Sequence, residues 1–262
     1  MKYFATFIFV AFSPIYIYTQ QPMPLDKIVP KFDSILTDAN ILYSYLKSAE
    51  TAEKIAFDSI QLQFKNSSTL AYEREDTLIH IVLDENSNCA IEMGFVGDFD
   101  SPIFYKKKVR ELSELEDSLL RQKLNIITQV KEDDRIALLA NGFYYEYIFI
   151  PKESGFELYV LNRTNQENIF PAGNNYILTF TSENMTIYRF RQFSHPRNSM
   201  KFDQNTAILI LNYPIEIPLI TAIDICKFNL YRHNLEQALW VHSQRNKRIF
   251  VYDPKSNEIT VQ

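Results

Sequence analysis

The segment Ala207-Ile-Leu-Ile-Leu-Asn-Tyr-Pro214 is followed, after six residues, by Thr221-Ala-Ile-Asp224. A run of branched apolar residues closed by proline reads as a buried strand, because proline cannot continue a hydrogen-bonded ladder. Thr221 and Asp224 stand three apart at the head of an apolar run. That is the pattern of a helix start, in which hydroxyl and carboxylate satisfy free backbone amides. The helix is expected over Thr221 to Asn234, with strands following at Ala238 to Ser243, Arg248 to Tyr252 and Glu258 to Val261. This part of the chain is therefore constrained to an α+β arrangement.

The order strand, loop, Thr-x-x-Asp, helix, strand, strand resembles the JAMM (MPN-type) metallopeptidase core. That family carries His-Ser/Thr-His-Pro, a short gap, then Ser-x-x-Asp, with a Glu on an earlier strand. Its two histidines and the aspartate bind zinc, and the glutamate is the general acid/base. In this chain Leu211-Asn212-Tyr213-Pro214 occupies the first motif, Ile215 to Ile220 the gap, and Thr221 to Asp224 the second motif. Glu157, at the start of an upstream β-run, takes the place of the glutamate. The similarity covers roughly residues 155 to 255. Ile220-Thr-Ala-Ile-Asp-Ile-Cys226 is also similar to a segment of a group of exported bacterial proteins with such a C-terminal half.

Proline, gap, aspartate and following helix agree with the family, but Leu211 and Tyr213 stand where both histidines belong. Neither side chain is a good zinc ligand. The resemblance thus implies a degenerate metal site at Leu211, Tyr213, Asp224 and Glu157, no metal or other cofactor, and no catalysis. Read from the residues alone, Thr221 caps the helix and Asp224 sits in its first turn, where the dipole favours negative charge.

The start of the chain sets its expected address. Met1-Lys2 precedes 23 residues without a charge, and Tyr3 to Phe12 is a continuous apolar run interrupted by Pro14. This fits a signal peptide over 1–20, hence a secreted or periplasmic protein. A retained anchor and a buried N-terminal segment are the rival readings, and membrane association is expected only through this segment. Cys89 and Cys226 are too few for a disulfide framework. Whether they pair is open from sequence, and Cys226 reads as a small core residue. The Asn-x-Ser/Thr sequons at Asn66, Asn162 and Asn184 carry little weight among 19 asparagines.

A helix-rich region is expected over 21–141 and a β-rich JAMM-like domain over 142–262. Phe32, Leu36, Ala39, Tyr43, Leu46, Ala49, Ala52, Ala56 and Ile60 recur at steps of three and four, one face of a long helix or a helix pair. Lys65 to Ser68 reads as the loop after it. Thr77 to Leu83 and Ala90 to Val96 read as two strands. Ser113 to Ala140 reads as a helix opened by the capping box Ser113-Glu-Leu-Glu116 and stopped at Asn141-Gly142. Short aromatic and branched runs follow at Phe143 to Ile150, Phe156 to Asn162, Tyr176 to Thr181 and Thr186 to Phe193, the last two joined by a hairpin turn. No internal repeat is visible.

Composition excludes several function classes. Five glycines and no Gly-x-Gly-x-x-Gly or Walker-type loop argue against nucleotide binding. A net charge of -5 argues against nucleic acid. The basic run Lys106-Lys107-Lys108-Val109-Arg110 reads as a solvated loop or helix start. His80, His195, His233 and His242 form no local metal pair, and no Gly-x-Ser-x-Gly elbow exists. The leading expectation is an exported, non-catalytic protein that binds or assembles with a protein partner. The other readings are a hydrolase that gathers Glu157, His195, Asp203 or Asp224 in a cleft, and an unrelated envelope-associated structural domain.

Overall fold

The computed structural model describes residues 21–60, 69–183, 185–193, 199–202, 209–231 and 238–262. The signal-like segment 1–20, Lys65 to Ser68, Asn66, Asn184, His195, Asp203, His233 and Asn234 lie outside them. Among the described residues no helix is long and apolar enough to cross a membrane.

A short helix, α1 (Leu25–Ile28), and a 3-10 turn (Val29–Lys31) lead into α2 (Phe32–Ile60). The three-and-four stripe is thus one helix, uninterrupted by glycine or proline. Ile28, Phe32 and Ala39 pack into a C-terminal cluster. Leu42, Tyr45, Leu46, Ala52 and Ala56 pack into a central one. One helix therefore ties the N-terminal part of the chain to the C-terminal part.

Four antiparallel strands follow in chain order: β1 (Thr69–Arg74), β2 (Thr77–Leu83), β3 (Cys89–Phe95) and β4 (Phe104–Arg110). Strand alternation sends Leu78 and Val82 to the α2 side, and Ile79, Ile81 and Leu83 to the opposite side. The opposite side is covered by α3 (Glu114–Lys131) through Leu119, Leu120, Ile126, Ile127 and Val130. Covering on both faces explains why β2 is an almost continuous apolar run. The expected helix-rich N-terminal half is instead a sheet held between two helices.

The basic run Lys106 to Arg110 is neither loop nor helix start but the edge strand β4. Lysines on an edge discourage pairing with another chain. Arg110 is anchored by Glu92 at 2.8 Å and Glu116 at 2.7 Å, and Arg74 reaches Glu92 at 3.2 Å. The capping box at Ser113 and Glu116 is present. Its helix, however, ends at Lys131 rather than Ala140. Glu132, Asp133 and Asp134 bring negative charge to the negative end of the dipole, and the Asp133 carboxylate accepts the Arg135 amide at 3.0 Å.

The next helix–meander unit repeats this topology, although no sequence repeat announces it. After α3 come β5 (Phe143–Lys152), β6 (Gly155–Thr164), the short β7 (Ile169–Pro171), β8 (Asn175–Thr181) and β9 (Ile187–Phe193). β5, β6, β8 and β9 form an antiparallel sheet in that order, while β7 pairs with β10 (Ser199–Lys201). Gly155 turns the tight β5–β6 hairpin at φ +149, where a Cβ would collide with the Phe180 carbonyl oxygen. Clusters on both faces of this sheet continue from the first sheet.

The last sheet has the order β11 (Leu209–Tyr213), β12 (Leu239–Ser243), β13 (Arg248–Asp253), β14 (Glu258–Val261). β11 and β12 are parallel and joined through α4 (Ala222–Tyr231), which packs along α2. A parallel neighbour needs such a crossover. α4 turns Ile225 and Phe228 toward the last sheet and Ile223 and Cys226 toward the centre. Mixed α+β architecture is thus established. Cys89 and Cys226 are both free and buried, in different clusters.

Candidate functional site

Two polar assemblies flank the loop 214–221, and they differ in kind. The first forms where β11 meets α4. Alternation along β11 turns Leu209, Leu211 and Tyr213 inward. Leu211 disappears into the apolar C-terminal cluster. The Tyr213 hydroxyl instead donates to Asp224 Oδ1. Thr221 supplies both its hydroxyl, at 2.6 Å, and its amide, at 2.9 Å, to Asp224 Oδ2. In return the Asp224 amide donates to Thr221 Oγ1 at 3.3 Å. This is a reciprocal cap built on aspartate.

Asp224 is 3% and Tyr213 2% exposed, and three hydrogen bonds already occupy both carboxylate oxygens. Burial pushes the Asp224 carboxyl up against those hydrogen bonds and the nearby Lys227, which pull it down. Burial and the Asp224 carboxylate push the Tyr213 phenol up as well. Of the four degenerate metal positions, the structure brings together Tyr213 and Asp224. Glu157 lies elsewhere, on β6, beside Tyr159 at 3.3 Å and Lys152 at 3.9 Å. Among the described residues no group of three His, Cys, Asp or Glu is placed to hold a metal ion.

One turn beyond Asp224, Lys227 is buried and donates to the Asn162 carbonyl at 2.8 Å and Asn175 Oδ1 at 3.1 Å. That contact bolts α4 to the β5–β9 sheet. Burial, reinforced by Arg163, pulls its amine down to about 7. The loop itself is pinned at the Pro218 carbonyl, which accepts from Ser243 Oγ at 2.7 Å and Asn246 Nδ2 at 2.5 Å.

The second assembly is a cleft of about 670 Å³ between α2, the β5–β9 sheet and this pinned loop. That size suits a small organic ligand. Helix α2 contributes Ser34, Ile35 and Asp38, the loop contributes residues 216–221, and the first turn of α4 adds Ala222 and Ile223. The floor comes from the α2-facing side of the sheet, where Tyr159, Ile177 and Arg191 are in register. In the next row, Glu157, Thr179 and Arg189, only Arg189 lines the cleft, and Glu157 and Thr179 line the cavity beside it. Directly opposed residues share a face. Asp38 also borders a neighbouring cavity of about 420 Å³ that Glu157 lines. The enclosing walls and Glu157 push the Asp38 carboxyl up although it reaches solvent, while Lys152 and Arg191 pull it down.

Asp38, Tyr159, Arg189 and Arg191 were not singled out in the sequence. The available signal was the pair of arginines two apart in Tyr188-Arg-Phe-Arg-Gln192, which on a strand places both on one face.

The structure also brings together a serine–histidine pair that no local sequence pattern announces. Ser48 on α2 lies 2.8 Å from His80 Nε2. Both are almost completely inaccessible, and burial lowers His80 to about 3, so its ring is neutral. With the Ser48 hydroxyl turned to the Ser44 carbonyl, the contact takes the His80 tautomer protonated at Nε2. A nucleophile needs the reverse polarity and a route for substrate. His242 is half-buried on the outer face of the last sheet, 3.2 Å from Asn212 Oδ1.

No protein-family model, curated protein or solved structure matches the chain at a significant level.

Proposed function

We propose that this chain is a non-catalytic binding protein. In this reading its C-terminal part is a metallopeptidase-like frame of the JAMM type whose metal position has become a structural cap. The observation that carries it is the saturation of Asp224: the one retained ligand type is buried and spends both oxygens on Tyr213 and Thr221. A zinc ion would have to displace those donors and find further ligands. The freed role is binding, and the cleft beside the same loop is the place for it. A protein partner and an exported setting belong to the reading. The first rests on exposed aromatics such as Phe57, Tyr105 and Tyr188, and the second on the sequence of residues 1–20.

Zinc titration by calorimetry tests it. The wild-type chain is expected to take up no tightly held zinc. Leu211→His with Tyr213→His, which returns both histidines of the resembled motif, is expected to gain zinc if the frame is a relic, whereas an accidental match would gain none. One equivalent of tightly held zinc on the wild-type chain would sink the reading.

A further inference from the structure

The arginines of the first two sheets divide into two groups. Arg74, Arg110 and Arg163 are each paired with glutamate, the last with Glu50 at 2.9 Å and Glu146 at 2.8 Å. Arg189 and Arg191, on β9, form no ion pair among the described residues, although both line the cleft. Arg191 Nε is buried without a hydrogen-bond partner among them, and its guanidinium lies 5.9 Å from the Phe193 ring centre. A buried, unpaired donor on a charged group is costly and calls for an acceptor.

The charged groups lining the cleft are Lys31, Arg189 and Arg191 against Asp38 and Glu216, a surplus of one positive charge. That surplus balances one negative charge and disfavours a dianion. Two guanidiniums on one strand face suit the planar, two-oxygen geometry of a carboxylate. The rest of the lining, including Ile35, Ile177, Phe193 and Leu219, is apolar.

We infer that the cleft binds an amphipathic monocarboxylate, its head on Arg189 and Arg191 and its apolar body between α2 and the segment 216–223, the loop and the first turn of α4. This specifies the ligand class of the binding reading above and rests on it.

The test is calorimetric titration of the full chain with dodecanoate below its micelle concentration, beside dodecan-1-ol and dodecyltrimethylammonium. Dodecanoate is expected to bind. Arg191→Gln should weaken it about ten- to a hundredfold, the loss of a charge-assisted contact. Arg191→Lys should retain part of the affinity. Ser34→Trp, on the exposed side of α2, should block the cleft, and circular dichroism checks that each variant is folded. Unchanged dodecanoate affinity in Arg189→Gln/Arg191→Gln overturns the inference. Ser34→Trp-sensitive binding of the alcohol or the cation, with none of dodecanoate, overturns the carboxylate assignment and leaves the binding reading standing. No binding by any probe overturns the inference, while the zinc titration decides independently whether the frame is non-catalytic.

Discussion

The two assemblies on either side of the loop 214–221 handle charge in opposite ways. At Asp224 the polar atoms are turned inward and matched, down to the second carboxylate oxygen. Along β9, Arg189 and Arg191 form no ion pair among the described residues and stand at the edge of a cleft, with Asp38 near enough to feel the Arg191 charge. A protein that leaves a charge unpaired beside a cavity keeps something for a ligand, whereas one that saturates a buried charge uses it for structure. The comparison therefore separates a residue that looks functional by motif from residues that look functional by environment.

The sharpest way to break this comparison is at the buried end. Asp224→Ala removes the carboxylate to which Tyr213 and Thr221 both donate, and the cap with it, so it should cost about 3 kcal/mol in chemical unfolding. Tyr213→Phe removes one donor and leaves Thr221 in place. It should cost about 1–2 kcal/mol.

Lys227 sharpens the contrast through pH. Its amine is pulled from 10.5 to about 7 in the folded chain, so between those values the unfolded chain binds the extra proton. Stability should then rise as pH increases from about 7 toward 10, and below 7 the full cost of burying the charged amine is present. Lys123, buried and lowered to about 8, adds to the same slope. Lys227→Met should flatten part of the slope measured in unfolding series across that window. A slope unchanged by the substitution would place the titration elsewhere.

The smallest effect on stability belongs to the cleft. Arg191→Gln should change it by less than about 0.5 kcal/mol, because no ion pair among the described residues is lost.

Much of the local structure was legible in the sequence. The apolar spacing along α2, the capping box at Ser113 and the short aromatic runs of the β5–β9 sheet depend on neighbours in the chain, and each formed where expected. The errors arose where distant partners decide. Lys106 to Arg110 is solvated as expected, but backbone pairing with β3, a distant partner, makes it a strand rather than a loop or helix start. The helix from Ser113 stops early because three acids accumulate at its end, a signal present but outweighed by the apolar pattern. At the site, the Thr221–Asp224 cap could be read locally, but Tyr213 as its third member could not. The cleft was invisible because Asp38, Tyr159 and Arg191 come from separate elements that meet only when α2 lies across the sheet.

The most direct test is to unfold Asp224→Ala and Arg191→Gln with denaturant side by side against the wild-type chain. The account predicts a loss of about 3 kcal/mol for the first and almost none for the second. A neutral or stabilising Asp224→Ala would contradict it, because that carboxylate would then be held for chemistry rather than for the fold.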